Sequence, residues 1–154
     1  MNLHFKRLST HILSLSKATT WEQALLEWQV GSVSISENVC PCGVPIKLNC
    51  HIHNTVTGQQ TIVGSTCVKR FLNIETVGDV NIESLFAGLA KLQEDPTRCP
   101  SKAVIAYAKN SSFIYESEEE FLLKIVNKKE LSEKQEAWRS KIVRRILQQI
   151  TVSN

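Results

Sequence analysis

Cys40-Pro41-Cys42-Gly43-Val44-Pro45-Ile46-Lys47-Leu48-Asn49-Cys50-His51-Ile52-His53-Asn54-Thr55-Val56-Thr57-Gly58-Gln59-Gln60-Thr61-Ile62-Val63-Gly64-Ser65-Thr66-Cys67 decides the reading of this chain. It packs four of the five cysteines and two of the four histidines into 28 residues. Soft ligands at this density are the layout of a metal site, and glycines at 43, 58 and 64 fall where the backbone must turn tightly. From Ile46 to His53 the side chains alternate. Ile46, Leu48, Cys50 and Ile52 share one face, and Lys47, Asn49, His51 and His53 the other. Residues 54–58 read as a turn, 59–63 as the returning strand, and Ser65 as the cap of a short helix in which Cys67 to Leu72 form the first turns. Knuckle, hairpin, then a helix with a ligand in its first turn is the order of a treble-clef zinc module.

Working outward, residues 29–35 read as a short strand leading into the cysteines. Before it, residues 1–18 form a basic amphipathic arm or a packing helix, and Thr20 with Gln23 has capping-box spacing ahead of Trp21, Ala24, Leu25 and Trp28. After the stretch the chain reads as helical. Asn81 caps a helix through Leu92, and Pro100 suits the first position of the next. Ser117 with Glu120 and Ser132 with Gln135 make two further capping boxes. The fold class expected is α+β: a treble-clef-like zinc hairpin module in a mainly helical domain. The divisions are an N-terminal helical arm at 1–28, the zinc module at 29–74 and a helical region at 75–154.

Composition narrows the classes. The chain has 154 residues, 42% of them apolar, and a net charge of only +3, too small by itself to mark a nucleic-acid binder. No apolar run approaches the roughly 20 residues that span a bilayer, and no secretory leader is evident, so no membrane partner and a cytoplasmic location are expected. In a reducing compartment clustered cysteines point to metal before disulfides. Cys99 stands apart as an unliganded thiol.

Zinc takes four ligands in a tetrahedron. Cys40, Cys42 and Cys67 are the firmest members. The fourth lies among Cys50, His51 and His53, with Cys50 favoured for its strand face and His51 second. Cys50 could equally be a small core hydrophobe. No Asp or Glu occurs between Cys40 and Arg70 to act as a general base, and the deaminase, P-loop and nucleophile-elbow signatures are absent, which argues against an enzyme. The strongest local charge is on the last helix, where Arg139, Lys141, Arg144 and Arg145 join Lys134. With Lys69 and Arg70 these are the candidate nucleic-acid contacts.

The motif Cys40-x-Cys42-Gly43…Ile52-x-Asn54…Gly58…Val63-Gly64-Ser65-x-Cys67-Val68-Lys69-Arg70-Phe71 resembles a family of small proteins encoded by bacteria, their phages and other mobile elements. The later run Phe113 to Glu118, Phe121, Leu131 to Gln135, Trp138 and Lys141-Ile142 resembles the helical tail that accompanies it, so the likeness covers roughly residues 20–148. The resemblance implies a zinc-binding fold in which the cysteine at position 50 recurs while positions 51 and 53 vary. The expected function is a zinc-binding, non-enzymatic protein that contacts nucleic acid through its basic faces. The alternative is a protein-interaction adaptor or inhibitor of a host or defence system.

Overall fold

The computed structural model describes residues 2–71 and 74–152. Helices and small antiparallel sheets mix as α+β, and the chain divides into two compact units: one runs to Val77 and takes back Val152, the other is Gly78–Thr151.

The first unit is built on a sheet of order β1-β2-β3, with β1 Trp28–Val39, β2 Pro45–Asn54 and β3 Gln60–Val63. The strand expected at 29–35 is therefore longer and pairs along β2, from Trp28 opposite Asn54 to Val39 opposite Pro45, with two breaks in register. This turns the cysteine knuckle into the β1–β2 connection. Cys40 N–H donates to the Val44 carbonyl at 2.9 Å and Gly43 N–H to the Cys40 carbonyl at 2.7 Å. Gly43 has φ +98°, so the turn itself favours glycine, and the mobile end of the Arg7 side chain lies against it, Nη1 2.7 Å from where a Cβ would stand.

One sheet face is the core. Val33, Ile35, Cys50, Ile52 and Val63 are buried there, as the alternation predicts. Helix α1 (Leu3–Ser14) buries Leu8 and Ile12 completely, each burial contributing about 1.5–3 kcal/mol. Asn2 caps it by accepting from His4 N–H at 2.8 Å. The N-terminal arm is thus a packed helix. Next come α2 (Trp21–Ala24) and a tighter turn at Leu25–Glu27. Thr20 is the cap of α2 by position but makes no side-chain bond. Trp28 is fully buried and opens β1 instead of extending the helix. Glu27 explains that switch: its carboxylate accepts from the backbone N–H groups of Lys17 and Ala18 and from Asn54 Nδ2, at 2.8, 2.8 and 2.9 Å. These bonds hold its pKa below the ordinary value, Lys17 N–H contributing most.

Helix α3 (Ser65–Val68) is capped by Gly64, so Ser65 is its first residue and not its cap, and Arg70 N–H already closes a turn on the Cys67 carbonyl. Leu72, expected in the same helix, lies outside the described residues. The short strand β4 (Thr76–Val77) ends the unit.

In the second unit β5 (Val80–Asn81) leads into α4 (Ile82–Glu94), capped by Asn81 through Ser84 N–H as expected. Helix α5 (Lys102–Asn110) is capped by Ser101, leaving Pro100 two residues before the helix. α4 and α5 touch at Gly88, where a Cβ would collide with Ser101 Oγ and stand 2.8 Å from Val104 Cγ2. Helix α6 (Glu116–Ile125) begins earlier than Ser117: Tyr115 is its cap and the Glu118 carboxylate accepts Tyr115 N–H at 2.9 Å. Helix α7 (Glu133–Ile150) has the expected capping box, Ser132 with Gln135, and buries Ile142, Val143, Ile146 and Ile150. Trp138 is stacked on Phe121 at 4.1 Å and stays partly exposed.

Arg145 ties α7 to α6 through two bonds to Glu118, 2.6 and 2.7 Å. Those bonds hold the Glu118 pKa below its ordinary 4.5. A depressed carboxylate contributes stability that is complete above that value and lost as pH falls through the folded one. Arg145→Met is therefore expected to cost about 1–3 kcal/mol at pH 7, and less at pH 3, in urea unfolding. An equal cost at both pH values would show that the pair is not the source. Gly88→Ala is expected to destabilise by about 1–3 kcal/mol through overpacking, read in the same titration.

Candidate metal centre

The knuckle and the start of α3 bring three cysteines together. The Sγ atoms of Cys40, Cys42 and Cys67 all lie within 4.8 Å of one another, and each residue is buried. In a tetrahedral thiolate site with zinc–sulfur bonds of about 2.3 Å the sulfurs sit about 3.8 Å apart, so the trio fits a metal ion with little adjustment. The chemistry of the donors agrees. Cys40 is pulled down to about 5, first by a hydrogen bond from the Cys67 thiol and then by the N–H groups of Cys42 and Gly64. Its sulfur thus sits in a cradle already suited to an anion. The counterpart is Cys67, whose pKa is pushed up by that same bond to Cys40 and by burial.

The residues named for the fourth position fall elsewhere. Cys50 is not in the group. It sits mid-strand opposite Val33 on β1 and Val63 on β3, fully buried, and burial pushes its pKa up to about 12. At about 3.3 Å per residue, the five steps from Pro45 carry it roughly 16 Å along β2 from the end of the knuckle. This is the small-core-hydrophobe behaviour that the strand face also allows. His51 is on the opposite face, its Nε2 2.6 Å from Ser34 Oγ, with its pKa lowered by burial. His53 and His51 line an open cleft of about 740 Å³ together with His11, whose Nε2 is 2.9 Å from Thr61 Oγ1. No carboxylate lines that cleft. Cys99 is in the second unit, its thiol 3.9 Å from the Leu122 carbonyl and its pKa raised by burial.

What local sequence reading missed is the part played by α1. His4 Nδ1 lies 2.9 Å from the Cys42 carbonyl, 38 residues away in the chain, and Arg7 stands over Gly43.

The basic candidates divide between the units. Lys69 and Arg70 follow α3 in the first and are exposed, with the Arg70 guanidinium 5.0 Å over the Phe5 ring. In the second, Arg145 is bound to Glu118 and also lies 5.7 Å over the Tyr115 ring. Arg139 is half-buried, its charge acting on Asp95 and Cys99. Lys141 and Arg144 are exposed, and the charge of Lys141 acts on Glu118. Among the described residues no helix is long and apolar enough to cross a membrane. Comparison with protein-family models, curated proteins and solved structures gave no match.

Cys40→Ser and Cys67→Ser are each expected to abolish stoichiometric metal uptake, whereas Cys50→Ala and Cys99→Ser keep it, measured as metal per chain after dialysis. Because the thiol protons must leave when an ion binds, zinc affinity should rise between pH 6 and pH 8 by about tenfold per unit for each proton displaced. A flat profile in a chelator-competition titration would contradict proton-holding thiol ligands.

Proposed function

We propose that the protein is a zinc-binding, non-enzymatic protein whose ion fastens the β1–β2 knuckle to the start of α3. The observation that carries this reading is the convergence of three buried cysteine sulfurs from two separated segments. A treble-clef-like module is the reading of their order along the chain: knuckle, β2–β3 hairpin, then α3 with Cys67 in its only turns. Zinc is preferred because a thiolate-rich set without carboxylates suits a soft, redox-inactive ion. Neither of the two buried carboxylates, Glu27 and Glu118, is spare for catalysis, since both are engaged in structural hydrogen bonds.

Of the basic residues the nucleic-acid reading names, Arg145 is spent on Glu118 and Arg139 is half-buried, while Arg70, Lys141 and Arg144 are exposed. A specific observation favours the adaptor or inhibitor reading beside it. Val39 and Val44 are exposed at the two ends of the knuckle, an apolar pair that the ion would hold in fixed geometry. Interference with a host or defence system, which the family resemblance suggests, would act through such a surface.

Zinc-loaded protein titrated with mixed-sequence DNA and RNA separates the two. Phosphate contact predicts affinity falling steeply between about 50 and 200 mM salt. Absence of binding at low salt removes the nucleic-acid reading. Metal analysis of the purified chain tests the shared premise, with one zinc per chain expected.

A further inference from the structure

We propose that His4 is the fourth ligand of the metal centre, which makes the site Cys3His and closes it with the N-terminal helix. The inference rests on the three-cysteine reading above and adds a residue from outside the motif.

Three sulfurs leave one tetrahedral position to fill. The candidates within the motif are committed elsewhere: Cys50 to the core between Val33 and Val63, His51 to Ser34, and His53 to the cleft. His11, the other histidine of α1, is bonded to Thr61 and lies about two turns further along the helix. His4, an exposed residue whose nitrogens also lie outside the three-cysteine group, is nonetheless the histidine in contact with the knuckle itself, Nδ1 to the Cys42 carbonyl at 2.9 Å. A ligating imidazole ordinarily donates its non-ligating N–H to a carbonyl or carboxylate, which fixes the tautomer and leaves the other nitrogen's lone pair for the ion. With Nδ1–H donating to Cys42, that nitrogen is Nε2.

A second observation comes from Arg7. One helical turn after His4, it shares that face of α1, and its guanidinium stands where a Cβ on Gly43 would reach 2.7 Å from Nη1. Adjacent turns of one helix thus touch residues 42 and 43. Zinc with three thiolates carries one net negative charge, and a neutral imidazole leaves it unchanged. The Arg7 guanidinium is placed to balance that charge without being able to ligate. The first acidic residue of the chain is Glu22, so residues 1–21 offer no competing carboxylate.

Zinc-edge X-ray absorption on the zinc-loaded full chain tests this. Three sulfurs at about 2.3 Å and one imidazole nitrogen at about 2.0–2.1 Å are expected. His4→Ala should keep the three sulfurs, lose the imidazole scattering and bind zinc at least tenfold more weakly, while His11→Ala changes neither. Circular dichroism checks that α1 persists in both variants. A four-sulfur shell would overturn the proposal in favour of Cys50 and leave the cysteine site standing. Imidazole scattering that survives in His4→Ala, or weaker affinity with an unchanged shell, would also overturn it, the latter reducing His4 to a partner of Cys42. A chain that takes up no zinc overturns the cysteine reading and this proposal together.

Discussion

Three thiols held within 4.8 Å of one another and shut away from water impose the constraint on which the first unit depends. Three thiolates cannot share so small a buried volume without a cation, because mutual repulsion and lost hydration both penalise the charged forms. Without metal the chain meets the constraint with protons. Cys40 draws the hydrogen bond of the Cys67 thiol and two backbone N–H groups, which lowers its pKa and raises that of Cys67. A divalent ion bound there would displace the thiol protons and convert a weak thiol contact into a crosslink between residues 40–42 and residue 67. Helix α3 has four residues and too little surface to hold its place by packing alone. The sheet, by contrast, has its own core in Trp28, Val33, Ile52 and Val63. An ion bound by the three cysteines would therefore matter most at the end of the sheet where the knuckle, Gly64 and α3 meet.

The second unit spends its charge differently. Its most basic helix, α7, uses Arg145 to satisfy Glu118, the carboxylate that also caps α6. The charge of Arg139 acts, more weakly, on Asp95. These are structural uses of cations on a helix whose buried stripe, Ile142, Val143, Ile146 and Ile150, is conventional in spacing. A run of positive residues in a sequence counts charges without revealing which already have partners.

Much of this architecture was legible because period-2 and period-3.6 patterns report which face a side chain takes. The alternation from Ile46 to His53 put Cys50 in the core and His51 on the far face, which is where they lie. The same pattern could not say how far Cys50 sits from the knuckle, because that depends on the knuckle being the β1–β2 turn with β2 running away from it. Helix starts are read correctly at Asn81 and Ser132, whose side chains cap, but not at α5, where Ser101 caps and Pro100 lies two residues before the helix. They were misplaced where position and chemistry part company: Gly64 caps α3 ahead of Ser65, and Tyr115 caps α6 ahead of Ser117. The contact of His4 with Cys42 leaves no local trace at all. Thirty-eight residues separate the two, and only the packing of α1 on the sheet brings them together.

Native mass spectrometry of the full chain, purified under reducing conditions with zinc supplied, tests the central claim most directly. The account predicts one zinc per chain, a mass increase reduced by the displaced thiol protons, and loss of that species in Cys67→Ser. A wild-type chain that stays metal-free, or a Cys67→Ser variant that holds zinc as tightly as the wild type, would contradict it.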